Sequence, residues 1–330
     1  MILEIKNLKK KYLVPRSFQR LQELMALRGV SLSVKSGETL AVVGESGCGK
    51  STLAKVLMKL ESFEEGEVLV GGKSILDISA QELPTHLQMV FQDPSSSLNP
   101  RKRVFDLIAE PLVVRGGSTQ AQIEAKVREV AQSVSINPDF LSRYPHMMSG
   151  GQRQRVGIAR ALVTEPKLII CDEPVSALDV SVQAQVLNLL LDLRESRKLS
   201  YLFISHDLSV VRFIAHRVAV LYLGQVVELA GKNELFQKPL HPYTQLLLKS
   251  TPQILNLTDS QSTIGADEKL KNLATELPSP LRPPVGCAFA GRCPYATDIC
   301  EQVNPSLVQV AGVIPGGERQ VACHHVSRWS

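Results

Sequence analysis

The stretch Gly44-Glu45-Ser46-Gly47-Cys48-Gly49-Lys50-Ser51-Thr52 satisfies the pattern G-x-x-x-x-G-K-[ST] without a mismatch. Its flanks suit it: Thr39–Val43 reads as a short buried strand, and residues 50–60 read as an amphipathic helix. Glycines let a backbone turn tightly enough to aim successive N–H groups at one point, a nest that suits phosphate. The helix N-terminus that follows adds its positive dipole end. Lys50 is then placed to reach the β- and γ-phosphates of a nucleotide, and the Ser51 hydroxyl to ligate Mg²⁺. A Gly-rich turn without a ligand would account for the glycines, but not for a lysine and a hydroxyl in register with them.

Length and composition bound the rest. The chain has 330 residues, enough for one large or two modest domains. Hydrophobic residues make up 44% and charged residues 21%, a balance that supports a sizeable core. The net charge of +5 comes without any long Lys/Arg block, which argues against a dedicated nucleic-acid binder. No run of about 18 apolar residues offers a membrane span. Strand-like alternation begins at Ile2, unlike a secretory signal, so a cytoplasmic placement is expected. In that reducing setting the six cysteines are not expected to form disulfides.

Outward from the loop, residues 2–6 and 30–34 read as strands around a polar, basic excursion at about 16–27. Residues 67–70 and 88–91 read as further strands. Between about 93 and 155 the spacing turns helical, with helices expected over 104–114 and 119–134. Strands return at 168–171, 201–204 and 218–223, with helical patterns between them. Such alternation predicts an α/β fold with a largely parallel sheet covered by helices. A nucleotide-binding unit over 1–250, with a helical subdomain at about 93–155, is expected to precede a linker and extension over 251–330. The linker is rich in Thr, Ser, Gln and Asp, and the extension in Pro and Cys. No internal repeat is visible.

Leu168-Ile169-Ile170-Cys171-Asp172-Glu173 is an apolar strand ending in two carboxylates. A buried parallel strand aims its last side chains at the ligand-binding end of the sheet. Asp172 is suited to the Mg²⁺ water shell and Glu173 to polarising an attacking water. On its own the pattern is common, since acidic residues often end strands; the phosphate loop upstream gives it weight.

Met148-Ser149-Gly150-Gly151-Gln152 runs into a helical pattern and supplies a second helix N-terminus that could meet an anion. Here the chain resembles the ABC-type ATPases, whose signature is S-G-G-Q before a helix, some twenty residues ahead of the hydrophobic-DE strand. Met148 replaces the family's usual leucine conservatively. The resemblance implies a P-loop fold with an antiparallel β subdomain and an inserted helical signature subdomain. It also implies that two subunits pack head to tail, with ATP held between one Gly44–Thr52 loop and the other subunit's Ser149, Gly150, Gly151 and Gln152. Residue by residue, Gln92 matches the glutamine that touches Mg²⁺ and water. Asp179, in Ser176-Ala177-Leu178-Asp179, matches the loop at the dimer seam, and His206 the histidine that contacts the γ-phosphate. Tyr12 matches the aromatic that stacks on adenine, although an ordinary strand tyrosine fits equally well. A soluble ABC ATPase acting on ribosomes or DNA lacks support, because neither a second cassette nor a coiled-coil insertion is present.

Leu240-His241-Pro242-Tyr243-Thr244-Gln245 and Gly286-Cys287-Ala288-Phe289-Ala290-Gly291-Arg292-Cys293-Pro294 resemble the C-terminal extension of oligopeptide and dipeptide importer ATPases. The likeness covers essentially the whole chain and points most to the dipeptide-type second ATPase subunit, with nickel and cationic-peptide importers as neighbours. It implies a partner cassette, identical or not, two permease subunits and an extracytoplasmic peptide-binding protein, at the cytoplasmic face of a bacterial inner membrane. Cys287, Cys293, Cys300 and Cys323 lack C-x₂-C pairs. A [4Fe–4S] cluster, favoured by the resemblance, zinc, and free or linked thiols all remain open. His324 and His325 are possible further ligands or solvated side chains, and Cys48 and Cys171 read as packing residues.

Overall fold

The computed structural model describes residues 1–17, 20–250, 279–310 and 318–328. The expected linker falls mostly outside these residues.

The chain opens with a long antiparallel hairpin, β1 (Leu3–Ser17) and β2 (Arg20–Val34). The expected polar excursion at 16–27 is therefore largely strand. It was hidden because its arm alternates poorly: Leu13 and Leu21 are both more than half exposed. β3 (Thr39–Val43) is buried at every position and leads through the Gly44–Gly49 loop into α1 (Lys50–Leu57). The helix ends three residues earlier than its apolar spacing suggests, because Lys59 takes a left-handed φ of 56°. β4 (Glu65–Val70) and β5 (Lys73–Ser74) follow and complete an antiparallel sheet of order β2-β1-β4-β5.

After the short α2 (Leu83–His86) comes β6 (Leu87–Val90), then the helical part. It comprises α3 (Pro94–Ser97), α4 (Val104–Arg115), α5 (Gln120–Ser133) and α6 (Gly150–Leu162). Thr119 caps α5 with a complete capping box to Gln122, which fixes the expected start of that helix. β7 (Leu168–Asp172), α7 (Val180–Arg197), β8 (Ser200–Ile204), α8 (Leu208–Ile214) and β9 (Arg217–Tyr222) then alternate. β10 (Gln225–Gly231), α9 (Lys232–Gln237) and α10 (Pro242–Lys249) close this part. The extension adds α11 (Asp298–Gln302), β11 (Val308–Val310) and β12 (Arg319–Val321).

The larger sheet runs β11-β12-β10-β9-β3-β8-β7-β6, parallel from β9 to β6 and antiparallel at the β10, β12 and β11 edge. Its central strands carry no polar alternation because both faces are covered. Side-chain alternation shows which cover each face meets. Leu40, Leu168, Ile170, Leu202 and Ile204 pack with the antiparallel sheet and α1. Ile169, Cys171, Tyr201 and Phe203 pack with α4 to α7. Ala41, Val43, Val218 and Val220 share a third cluster with Tyr243 and Phe289, which brings the extension onto the nucleotide-loop strand. Arg319 of β12 pairs with Glu228 of β10 at 2.8 Å, both fully buried, which fastens the extension to the sheet edge. No helix among the described residues is long and apolar enough to cross a membrane.

Candidate active site

The phosphate-loop conformation depends on two glycines packed against backbone. A Cβ on Gly44 (φ 153°) would meet the Leu221 carbonyl at 2.2 Å, and one on Gly49 (φ 110°) the Ala26 carbonyl at 2.6 Å. The β9–β10 turn braces the loop from outside, with Gly224 donating its N–H to the Cys48 carbonyl at 2.8 Å. Gly49 caps α1 without a side-chain hydrogen bond, so the first N–H groups of the helix keep their orientation for an anion. The Lys50 ammonium is buried inside the loop and donates to the Gly44 and Glu45 carbonyls at 2.7 and 3.0 Å. Cys48 and Cys171 are both buried, as packing residues should be, and burial raises both thiols above their ordinary range.

Across the sheet, β7 delivers Asp172 and Glu173 beside the loop. Ser51 adjoins the Asp172 carboxylate and helps to hold its proton affinity down. Burial raises the Asp172 carboxyl above its usual range, the negative charge of Glu173 adds to this, and Lys50 opposes it. Glu173 adopts a left-handed φ of 47°, rare for a side chain with a Cβ, and its N–H donates to the Ile204 carbonyl at 2.9 Å. Both carboxylate oxygens then have partners. Gln92 donates its Nε2 to Oε2 at 2.9 Å, and His206 places Nδ1 2.9 Å from Oε1. Gln92 and His206, matched only by resemblance in the sequence, thus converge from two strand ends on the carboxylate that ends a third.

Other expected site residues stand apart from this group. Ser149 caps α6 in a reciprocal box, its hydroxyl accepting from the Gln152 N–H at 3.3 Å while Gln152 Oε1 accepts the Ser149 N–H at 2.9 Å. Ser149 is exposed, whereas Gly151 is buried where a Cβ would strike Val182 Cγ1 at 2.4 Å. Gly151 thus lets α6 approach α7, a packing role beside any role in anion binding. Asp179 caps α7 by accepting the Val182 N–H at 3.0 Å and the Ser181 hydroxyl at 2.8 Å. Tyr12 lies in β1 opposite Leu24, with the Lys10 ammonium 4.9 Å from its ring centre.

The C-terminal part of the chain also reaches the loop, once from α10 and once from the extension, which sequence reasoning missed. Tyr243 Oη accepts the Glu45 N–H at 2.9 Å, and Arg292 donates to both Glu45 carboxylate oxygens at 2.9 and 3.1 Å. Roughly two hundred residues separate the partners in sequence, and neither side carried a periodic signal. Beyond Arg292, the expected cysteines Cys287, Cys293, Cys300 and Cys323 line one cavity with Phe289, His324 and His325. All four are free thiols, so the linked alternative is not realised. Among the described residues no three His, Cys, Asp or Glu side chains are grouped to hold a metal ion. The two histidines are half-buried rather than solvated: His324 Nε2 lies 2.8 Å from the Val303 carbonyl and His325 Nε2 2.9 Å from Thr297 Oγ1.

Comparison with known proteins gives the family. The family described as ABC transporter matches residues 27–176, and the oligopeptide/dipeptide transporter C-terminal region matches 227–300. The oligopeptide transport ATP-binding protein AppF of Bacillus subtilis is 49% identical, over 98% of this chain and 97% of its own length. The dipeptide transport ATP-binding protein DppF of Escherichia coli is 47% identical, over 99% and 95%. Among solved structures, the dimeric post-hydrolysis ATP-binding cassette MJ0796, bound to ADP and Pi, is 29% identical and has a TM-score of 0.61. That match covers 70% of this chain and 98% of the cassette. On its fold, its nucleotide loop and its near full-length similarity, the chain belongs to the ATP-binding subunits of oligopeptide and dipeptide ABC transporters.

Proposed function

We propose that this chain hydrolyses ATP at the cytoplasmic face of a bacterial inner membrane and so powers import of dipeptides or oligopeptides. One observation carries the chemistry: Glu173, adjacent to Asp172 and the phosphate loop, has each carboxylate oxygen held by a separate side chain, Gln92 or His206. In this reading Glu173 accepts a proton from the attacking water, while Gln92 and His206 fix its direction. Lys50 and the N–H groups of residues 44–52 meet the phosphates, and Tyr12 meets the adenine. Ser51, Gln92 and Asp172 are oxygen donors that suit a small hard cation, and Ser51 adjoins the Asp172 carboxylate. Mg²⁺ held there neutralises charge developing on the phosphates.

Two copies, or this chain and a related cassette, close head to tail. Ser149, Gly150, Gly151 and Gln152 of one then face the phosphate loop of the other, with Asp179 at the seam. The cassettes work beneath two permeases that receive peptide from an extracytoplasmic binding protein. Full-length similarity to peptide-transport subunits supports this reading over a soluble, non-transport ATPase. Residues 1–250 form the nucleotide-binding unit, with its helical subdomain at 93–155, and residues 251–330 the linker and extension.

The finer reading of the extension is an iron–sulfur cluster on Cys287, Cys293, Cys300 and Cys323. Four thiols lining one cavity suit the donor set of a cluster that takes one thiolate at each corner. Zinc is the alternative on the same thiols; the described residues hold no ready-made group for a metal ion of either kind. A cluster would supply a cross-link inside a segment too small for much of a core. Iron analysis and visible absorption of anaerobically purified protein test it; colourless, iron-free protein with full ATPase activity removes it.

Glu173→Gln tests the catalytic reading. Turnover is expected to fall by about 10²–10⁴ while ATP binding persists. Turnover within about tenfold of wild type would show that Glu173 is not the base.

A further inference from the structure

The extension's hold on the phosphate loop is concentrated on one residue. Arg292 is 8% exposed and presents its guanidinium fork to Glu45, Nη1 to Oε2 at 2.9 Å and Nη2 to Oε1 at 3.1 Å. Its orientation is fixed from behind. Nη1 also donates to Tyr222 Oη at 3.4 Å, and the guanidinium lies 5.7 Å from the Phe289 ring centre and 5.9 Å from that of Tyr222. Tyr222, Tyr243 and Phe289 pack on one another, with centroids 4.5 to 5.5 Å apart. Tyr243 in turn accepts the Glu45 N–H at 2.9 Å. Both polar ends of Glu45 are therefore held by one aromatic–arginine assembly of the C-terminal part.

Glu45 is the second residue of a loop whose task is to receive a highly charged anion, so a free carboxylate there would repel it. A bidentate arginine removes that repulsion and fixes the side chain away from the loop interior. A contact made only to fasten the extension would not need to reach into the phosphate loop, since the Arg319–Glu228 pair already anchors it. We propose that Arg292 is a positioning residue for the nucleotide site. By neutralising and holding Glu45, it makes ATP affinity depend on the docked extension. The inference rests on reading residues 44–52 as the phosphate site.

The test uses full-length protein in its purified transporter complex, with ATP as the probe. Arg292→Ala is expected to raise the KM for ATP about tenfold with kcat within about twofold. Adding Glu45→Gln to that variant is expected to restore KM to within about threefold of wild type, because the repelling charge is gone. An unchanged KM in Arg292→Ala, or no recovery in the double variant, overturns the proposal; the second result would assign Arg292 a purely structural role. Should Arg292→Ala fail to fold, Arg292→Lys keeps the charge and loses the fork. It is then expected to raise KM about threefold, and no rise overturns the proposal. Lys50→Ala separates the two levels of the argument. If it loses ATP binding while Arg292→Ala does not, only the Arg292 role falls; if it binds like wild type, the phosphate-site reading falls as well.

Discussion

Glu173 shows how a single residue can be readable in type yet hidden in mechanism. Its place at the end of an apolar strand is written in the sequence, but its left-handed backbone and its two partners are not. Such a backbone costs on the order of 1–3 kcal/mol, offset here by surrounding hydrogen bonds, and residues held this way cluster at reactive sites. His216 received no functional reading, yet it braces the loop-bearing strand at its base. Its Nδ1 accepts the Thr39 N–H at 2.9 Å, and its own N–H donates to the Thr39 carbonyl at 2.9 Å. Burial lowers its imidazole below the ordinary 6.5, and the positive charges of Arg194 and Lys232 lower it further against Glu38. The folded state therefore prefers neutral His216. Its contribution is fully present above the unfolded value of about 6.5 and is lost as pH falls below it. In thermal unfolding, wild type should lose more stability than His216→Asn between pH 7.5 and 5.5. Equal losses in the two proteins would dismiss the assignment.

At the scale of elements, period and capping made most helices legible. Thr119 and its box start α5 where the pattern places it, and α4, stopped at Gly116, ends within a residue of expectation. The β1–β2 arm was not legible, because strands that project from the core carry no buried alternate face. Gly151 shows the same limit in a motif. The sequence reads it as part of an anion site, while the structure adds a contact across α6 and α7 that only a missing Cβ permits. Gly151→Ala should therefore destabilise the protein by about 1–3 kcal/mol through overpacking. Val182→Ala in the same chain should recover most of that loss in denaturant unfolding. If it does not, the close approach of the two helices is not what requires the glycine.

Over the whole molecule, the sequence separates a nucleotide unit from a cysteine-rich extension, but the fold joins them. β12 extends the central sheet, Phe289 shares a cluster with the loop-bearing strand, and Arg292 reaches Glu45. Contacts this distant in sequence leave no periodic trace, which is why the extension read as an appendage. The transport account needs one further long-range contact, between two cassettes. ATP must favour the closed pair over the open one, and moving the pair from 1:99 to 99:1 takes about 5.5 kcal/mol of differential binding. The most direct test places p-benzoyl-phenylalanine at exposed Ser149 of a Glu173→Gln chain, in the transporter purified with its permeases and partner cassette. With ATP, irradiation is predicted to give an adduct that mass spectrometry maps to the phosphate-binding loop of the opposing cassette, and little without nucleotide. An adduct on the chain's own Gly44–Thr52 loop, or one that forms equally without ATP, would contradict the account.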